Sequence, residues 1–303
     1  MYYPSGLFRL KARAALKGHW QTALLIALIV NLPTLLMQGL STITGNDTFD
    51  RLQALIISSS RDGRFTNQLL LNEIQAIISS TSFWMIRGGD LIAWLITPCL
   101  SLGLYKWLMD RLRGQDGPVS TVFCRARLFF RAIGLQLLVI LKILLWMLPG
   151  IGLAVGSMIP VFRATTSREQ LAMLSTMNGL TPLAMAAIIV PGVMAALRYA
   201  LAEYILADRP ETRVRECVRL SIKMMTDMKK TLFSMMLVFL LWYLLQMLVS
   251  SMLMGISSVL SLVFQMLFVL ALNVYMSGSV SAFYLQLAYG KPEDTVSETE
   301  EIN

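Results

Sequence analysis

Six long apolar runs, separated by shorter polar segments, set the pattern of this chain. They predict membrane crossings at residues 20–40, 91–109, 132–158, 181–207, 231–252 and 259–288. The clearest signal is 231–290, where no side chain is charged. A crossing needs about 20 apolar residues, so this stretch holds two crossings and a tight turn. Asp90 is placed as the helix cap that opens the second crossing, and Lys106 can snorkel toward the nearer surface. The first run is too long for a signal-peptide core and lacks a small-residue cleavage site, so it reads as a retained anchor.

The segments between the runs predict amphipathic helices rather than plain loops. Residues 43–89 form a polar excursion, placed outside, in which Leu52, Leu55 and Ile56, then Leu69, Leu70, Ile74, Ile77 and Ile78 recur at helical spacing. Residues 211–228 carry Val214, Val218, Ile222, Met225 and Met228 on one stripe and Arg215, Arg219 and Lys223 on another. Such a helix is expected to lie along the inner leaflet. Residues 2–17 read the same way, with Arg9, Lys11, Arg13 and Lys17 holding the segment flat before His19 and Trp20 turn the chain inward. The tail, 291–303, is acidic and nearly devoid of apolar residues, which predicts disorder.

Composition fixes the solvent. With 56% hydrophobic and 15% charged residues and a mean hydropathy of +0.63, the chain lies outside the soluble class, in which about a quarter of residues are charged. The fold class is therefore an all-α polytopic bundle of about six crossings with interfacial helices, one transmembrane domain over residues 1–290. Charge sets its orientation. Basic residues crowd the N-terminal segment, the loop with Arg111, Arg113, Arg125, Arg127 and Arg131, and the loop from Arg209 to Lys230. All three fall on one face, which the positive-inside rule makes cytoplasmic, with both termini inside a cell membrane. The net charge of +8 is thus topological, and nucleic acid is not an expected partner. Three scattered cysteines and a single histidine, His19, argue against a disulfide framework, a metal site or histidine-dependent catalysis.

Ionisable groups at membrane depth mark candidate sites, and here they are Lys142, Arg198 and Glu203. Lys142 lies deepest, while Arg198 and Glu203 lie in the inner third of the fourth crossing. A Lys142–Glu203 pair, a headgroup contact at Arg198 and plain snorkelling all remain open. Two Pro-Gly pairs, Pro149-Gly150 and Pro191-Gly192, together with Pro33, are expected to kink or break their helices. The 20 methionines follow no repeated spacing and read as adaptable packing rather than metal ligation. No catalytic motif emerges, so an enzyme is not expected and no cofactor is implied.

These segments resemble the bacterial multipass family catalogued as domain of unknown function 975. The opening Ala12-Arg13-Ala14-Ala15-Leu16-Lys17-Gly18-His19-Trp20 is similar to its first motif. Pro191-Gly192-Val193, Arg198-Tyr199 and Tyr204-Ile205-Leu206-Ala207-Asp208-Arg209-Pro210 are similar to its most specific one. Ser221, Met224-Met225, Lys229, Phe233, Phe239 and Trp242 continue in the family's spacing, and Phe283-Tyr284 and Leu287 resemble its closing motif. Asp227 stands where the family has glycine, and an insertion separates Trp146 from Pro191. The resemblance implies a cytoplasmic-membrane protein, mainly of Gram-positive bacteria, with no assigned activity and no functional residues to carry over. Two readings follow. The first is a non-enzymatic scaffold, or a lipid- or partner-binding protein, whose Arg215, Arg219 and Lys223 meet anionic headgroups. The second is a small-molecule or ion permease built on the kinked third and fourth crossings.

Overall fold

The computed structural model describes residues 4–43, 75, 79, 81–163 and 167–290, and no strand occurs among the described residues. Helix α1 (Ser5–Leu16) leads into α2 (Trp20–Ile43) and α3 (Thr81–Leu112). A 3-10 helix (Val119–Leu128) then runs directly into α4 (Phe129–Arg163). The remainder is α5 (Ser167–Tyr199), α6 (Ala202–Asp208), α7 (Val214–Met224), α8 (Lys229–Met254) and α9 (Ser258–Tyr289). Six segments are long and apolar enough to cross a membrane: Trp20–Met37, Arg87–Leu112, Val119–Gly156, Pro182–Asp208, Lys229–Met254 and Val259–Tyr289. The expected all-α, multi-pass architecture is what forms.

Several boundaries differ from expectation. Helix α3 starts at Thr81, so Asp90 caps nothing; it lies inside the helix and pairs with Arg87 one turn back at 3.0 Å. Lys106 likewise does not need to snorkel, because it pairs with Asp110 at i,i+4. Helices α4 and α5 have 35 and 33 residues, so each is roughly 50 Å long at 1.5 Å per residue, beyond the hydrocarbon thickness. Only residues 164–166 separate them, where the apolar runs predict a connection over 159–180. The amphipathic helices expected within residues 52–78 and the acidic tail lie outside the described residues.

None of Pro33, Pro149 and Pro191 ends its helix; the helical backbone continues through all three. The two Pro-Gly pairs instead meet each other. Pro191 has no N–H to offer the Ala187 carbonyl four residues back, and Gly150 of α4 sits directly against that carbonyl. A Cβ at Gly150 would fall 2.4 Å from the Ala187 oxygen. Gly192 faces Met147 in the same crossing, with its own Cβ position 3.3 Å from that side chain. Lipid supplies no hydrophobic force between helices, so close backbone approach at small residues is what holds them together.

The interruption in the fourth crossing falls further on, at Ala200 and Leu201 between α5 and α6. There the Arg198 carbonyl leaves the helical ladder and accepts the Ser221 hydroxyl of α7 at 2.9 Å. A residue from the following amphipathic helix thus satisfies a group that the break exposes.

The amphipathic helices do not float on lipid by their apolar sides. Phe8, Ala12 and Leu16 of α1 are fully buried, and Phe8 packs edge-on against Phe283 of α9 with ring centroids 5.1 Å apart. Gly278 of α9 lets α1 approach, for its missing Cβ would lie 3.5 Å from that of Ala12. The chain leaves α1 through Gly18, whose φ of +84° is the left-handed conformation glycine adopts at helix ends. Helix α7 docks likewise, with Cys217, Val218 and Ser221 buried, and the turn after it buries Met225 and Met228 against the bundle. The apolar stripe lies where the spacing predicts it, but it meets protein, not the leaflet. Burial at this site pushes the Cys217 thiol up to about 11. Asp227 fits where the family has glycine because no described non-glycine residue has positive φ, so the turn makes no demand for glycine there.

Candidate functional site: the basic end and the cavity beyond it

At one end of the bundle the residue that follows α3, the end of α6 and the end of α9 converge on Asp208. Its carboxylate has only 5% of its surface exposed. Oδ1 accepts Arg113 Nη2 at 2.8 Å, and Oδ2 accepts the hydroxyls of Tyr284 at 3.0 Å and Tyr289 at 2.6 Å. Three charge-assisted bonds from three directions tie the end of the fourth crossing to the second and the sixth. The Tyr289 ring is also flanked by Arg113 and Arg209, whose guanidinium carbons lie 5.3 and 5.4 Å from its centroid. Burial works against the Arg113 charge, yet Asp208 outweighs it and holds that guanidinium above its ordinary value. The Tyr289 hydroxyl does the same for Arg209.

Further polar bonds bind the rim. Arg131 donates to the Pro210 carbonyl at 2.7 Å, Lys11 to the Gln286 side chain at 3.4 Å, and the Tyr275 hydroxyl to the Arg9 carbonyl at 3.3 Å. Arg111 pairs with Asp116 and reaches the His19 ring at 2.7 Å, so the lone histidine takes part in the rim. Outside this rim Arg13, Lys17, Arg213, Arg215, Arg219, Lys223 and Lys230 remain exposed. Of the three expected headgroup contacts, Arg215 and Lys223 point outward without an ion pair among the described residues, and Arg219 lies 3.9 Å from Glu216.

The three intramembrane candidates are not brought together. Lys142 is half-buried on α4 and forms no ion pair with Glu203. Arg198 lays its guanidinium over Trp146, 5.4 Å from the ring centroid, and its buried Nε has no hydrogen-bond partner. That contact joins the end of α5 to α4. Glu203 alone faces open space. Next to it, Tyr105 stacks on Tyr204 with ring centroids 4.3 Å apart.

Glu203 lines a cavity of about 630 Å³ between α2, α3 and α4. The cavity is walled by Thr34, Ala93, Trp94, Thr97, Pro98, Ser101 and Gln136, with Arg87 and Asp90 at the other end. Asp90 and Ser101 are eleven residues apart on α3, so the cavity extends roughly 16 Å along that helix. It does not include Lys142 or either Pro-Gly pair. The sequence offers one signal for it that a search for apolar runs passes over: Pro98 flanked by Thr97 and Ser101 inside a crossing, with Gln136 in the next. Asp208, by contrast, stands within the motif that carries the family resemblance but at the edge of a run, where an acidic residue reads as solvated.

Residues 1–291 match the family model described as a protein of unknown function, DUF975. No curated protein and no solved structure matches the chain. Of the residues that carry the resemblance, Tyr204, Phe283 and Tyr284 share one buried cluster, and Tyr284 reaches Asp208. With the match covering nearly its whole length, this chain belongs to the DUF975 family.

Proposed function

We propose that this protein is a non-enzymatic membrane scaffold whose basic end faces the cytoplasm and binds anionic lipid headgroups. One observation carries the reading: α1 and α7 spend their apolar sides on the bundle and turn their cations outward. A helix that floats on a leaflet uses its apolar face for lipid; here that face is occupied, so what remains for the surroundings is charge. Burial of Phe8, Ala12 and Leu16 holds Arg13 and Lys17 in place, and the bond from Ser221 to the Arg198 carbonyl holds Arg215, Arg219 and Lys223, so the ordering cost is met within the fold. Each such cation contributes about 1 kcal/mol near an anionic surface. Five together give selective, salt-sensitive attraction without any pocket.

Reconstitution tests this. In vesicles of neutral lipid, trypsin should cut after Arg215 and Arg219 readily; in vesicles rich in anionic lipid the same bonds should be protected, and added salt should remove the protection. The triple substitution Arg215→Gln, Arg219→Gln and Lys223→Gln, followed by cutting at the neighbouring Arg213, should abolish the difference between the two vesicles. Equal cutting of the unaltered protein in both would contradict the proposal.

A further inference from the structure

The cavity at Glu203 is distinct from the basic platform and carries its own chemistry. Two hydroxyls along its wall, those of Thr97 and Ser101, are turned as acceptors. Thr97 donates its hydroxyl hydrogen to the Ala93 carbonyl at 2.8 Å, and Ser101 donates its own to the Thr97 carbonyl at 2.9 Å. Both hydroxyl oxygens therefore have lone pairs left and no hydrogen to give. Pro98 cannot donate to the Trp94 carbonyl four residues back, which leaves a further acceptor in the wall-forming turn. At the base stands the Glu203 carboxylate, with about four acceptor positions to offer.

The charge balance points the same way. Of the charged residues in the wall, Arg87 and Asp90 pair with each other at 3.0 Å, and Glu203 has no cation opposite it among the described residues. The nearest intramembrane lysine, Lys142, is not in the wall. An isolated carboxylate at membrane depth is costly unless a cation or proton joins it. Trp94 adds an aromatic wall, a surface to which cations are drawn.

We infer that this cavity is a binding site for a primary alkylammonium group, its positive nitrogen on Glu203 and its stem along Trp94 and Ala93. The ammonium brings three donors to a wall that offers acceptors, and the short apolar stem matches the remainder of the lining. Two sources share this chemistry: a small free amine and the headgroup of an aminolipid. The volume of about 630 Å³ is ample for either.

Calorimetric titration of the full-length protein in detergent with hexylammonium chloride should show saturable binding. Hexanol, which keeps the stem and loses the charge, should bind at least about tenfold more weakly. Glu203→Gln keeps the size of the side chain but removes its charge, and should weaken hexylammonium roughly tenfold to a hundredfold. Ser101→Leu, which leaves Glu203 in place and projects an apolar side chain into the cavity, should weaken binding at least about tenfold while Arg215→Gln leaves it unchanged. Mass spectrometry of protein recovered from phosphatidylethanolamine vesicles separates the sources. Retained aminolipid that is lost in Glu203→Gln and displaced by hexylammonium identifies the lipid headgroup, whereas equal retention in both proteins assigns the site to a free amine. If hexylammonium does not saturate the unaltered protein, or binds it no better than hexanol, or binds folded Glu203→Gln equally well, the inference is overturned.

Discussion

Asp208→Ala is expected to cost the folded bundle about 2–4 kcal/mol, the largest effect of any single substitution at the basic end. The carboxylate is nearly fully enclosed and takes bonds from Arg113, Tyr284 and Tyr289. Removing it leaves Arg113 only the looser pairing with Asp110 at 3.8 Å and takes the acceptor from two hydroxyls at once. A fully buried pair broken from one side costs about 3–5 kcal/mol, but Arg113 keeps about a third of its side chain in contact with the surroundings, which lowers the figure. Asp208→Asn keeps an oxygen for the tyrosines and should recover part of the loss, while Tyr289→Phe removes one bond and should cost about 1 kcal/mol. Thermal unfolding in detergent should rank the proteins unaltered, Tyr289→Phe, Asp208→Asn, Asp208→Ala from most to least stable. An Asp208→Ala protein as stable as the unaltered one would show that these bonds merely decorate the end of the bundle.

The second large effect is expected at two glycines whose neighbours are backbone. At Gly103 of α3 an added Cβ would lie 2.0 Å from the Val122 carbonyl oxygen, and at Gly150 of α4 it would lie 2.4 Å from that of Ala187. Backbone carbonyls cannot rotate aside as a side chain can, so the helices must separate. Gly103→Val and Gly150→Val should each cost about 1–3 kcal/mol, by overpacking and by loss of the close crossing. Gly134→Val provides the contrast, for nothing lies within 4 Å of its Cβ position. Heating in detergent should reveal early loss of the native fold in the first two proteins and little change in the third. Comparable stability of all three would mean that close helix approach does not hold this bundle.

The parts of this fold that are legible in the sequence are those that a single physical demand controls. Lipid requires long apolar runs with satisfied backbones, so the crossings are legible wherever charge ends them in the sequence, as at Lys230 and Lys291. The amphipathic stripe of Val218 and Met225 is legible for the same reason. What covers that stripe is not legible, because lipid and a neighbouring helix are equally apolar partners. Pro149 and Pro191 illustrate a different difficulty. Sequence shows that each removes a donor; only the three-dimensional crossing shows that Gly150 moves in against the carbonyl that Pro191 leaves. The break at Ala200 carries no proline at all, and its stabilising hydroxyl, Ser221, comes from 23 residues away along the chain from the carbonyl it meets. Depth alone marks Glu203 as a candidate, but the cavity it lines, with Lys142 outside its wall, comes from how the helices cross rather than from the charge pattern.

The central claim is that α1 and α7 share one face of a bundle whose chain crosses the membrane once between Lys17 and Arg87 and four times between Lys17 and Arg219. Single cysteines at Lys17, Arg87 and Arg219, in a protein whose Cys99, Cys124 and Cys217 are replaced, can be probed in sealed, uniformly oriented vesicles with a membrane-impermeant maleimide. Lys17→Cys and Arg219→Cys should respond together, both becoming reactive only on permeabilisation in right-side-out vesicles, and Arg87→Cys should react before it. Labelling of Arg87→Cys on the same side as Lys17→Cys, or of Lys17→Cys and Arg219→Cys on opposite sides, would contradict it.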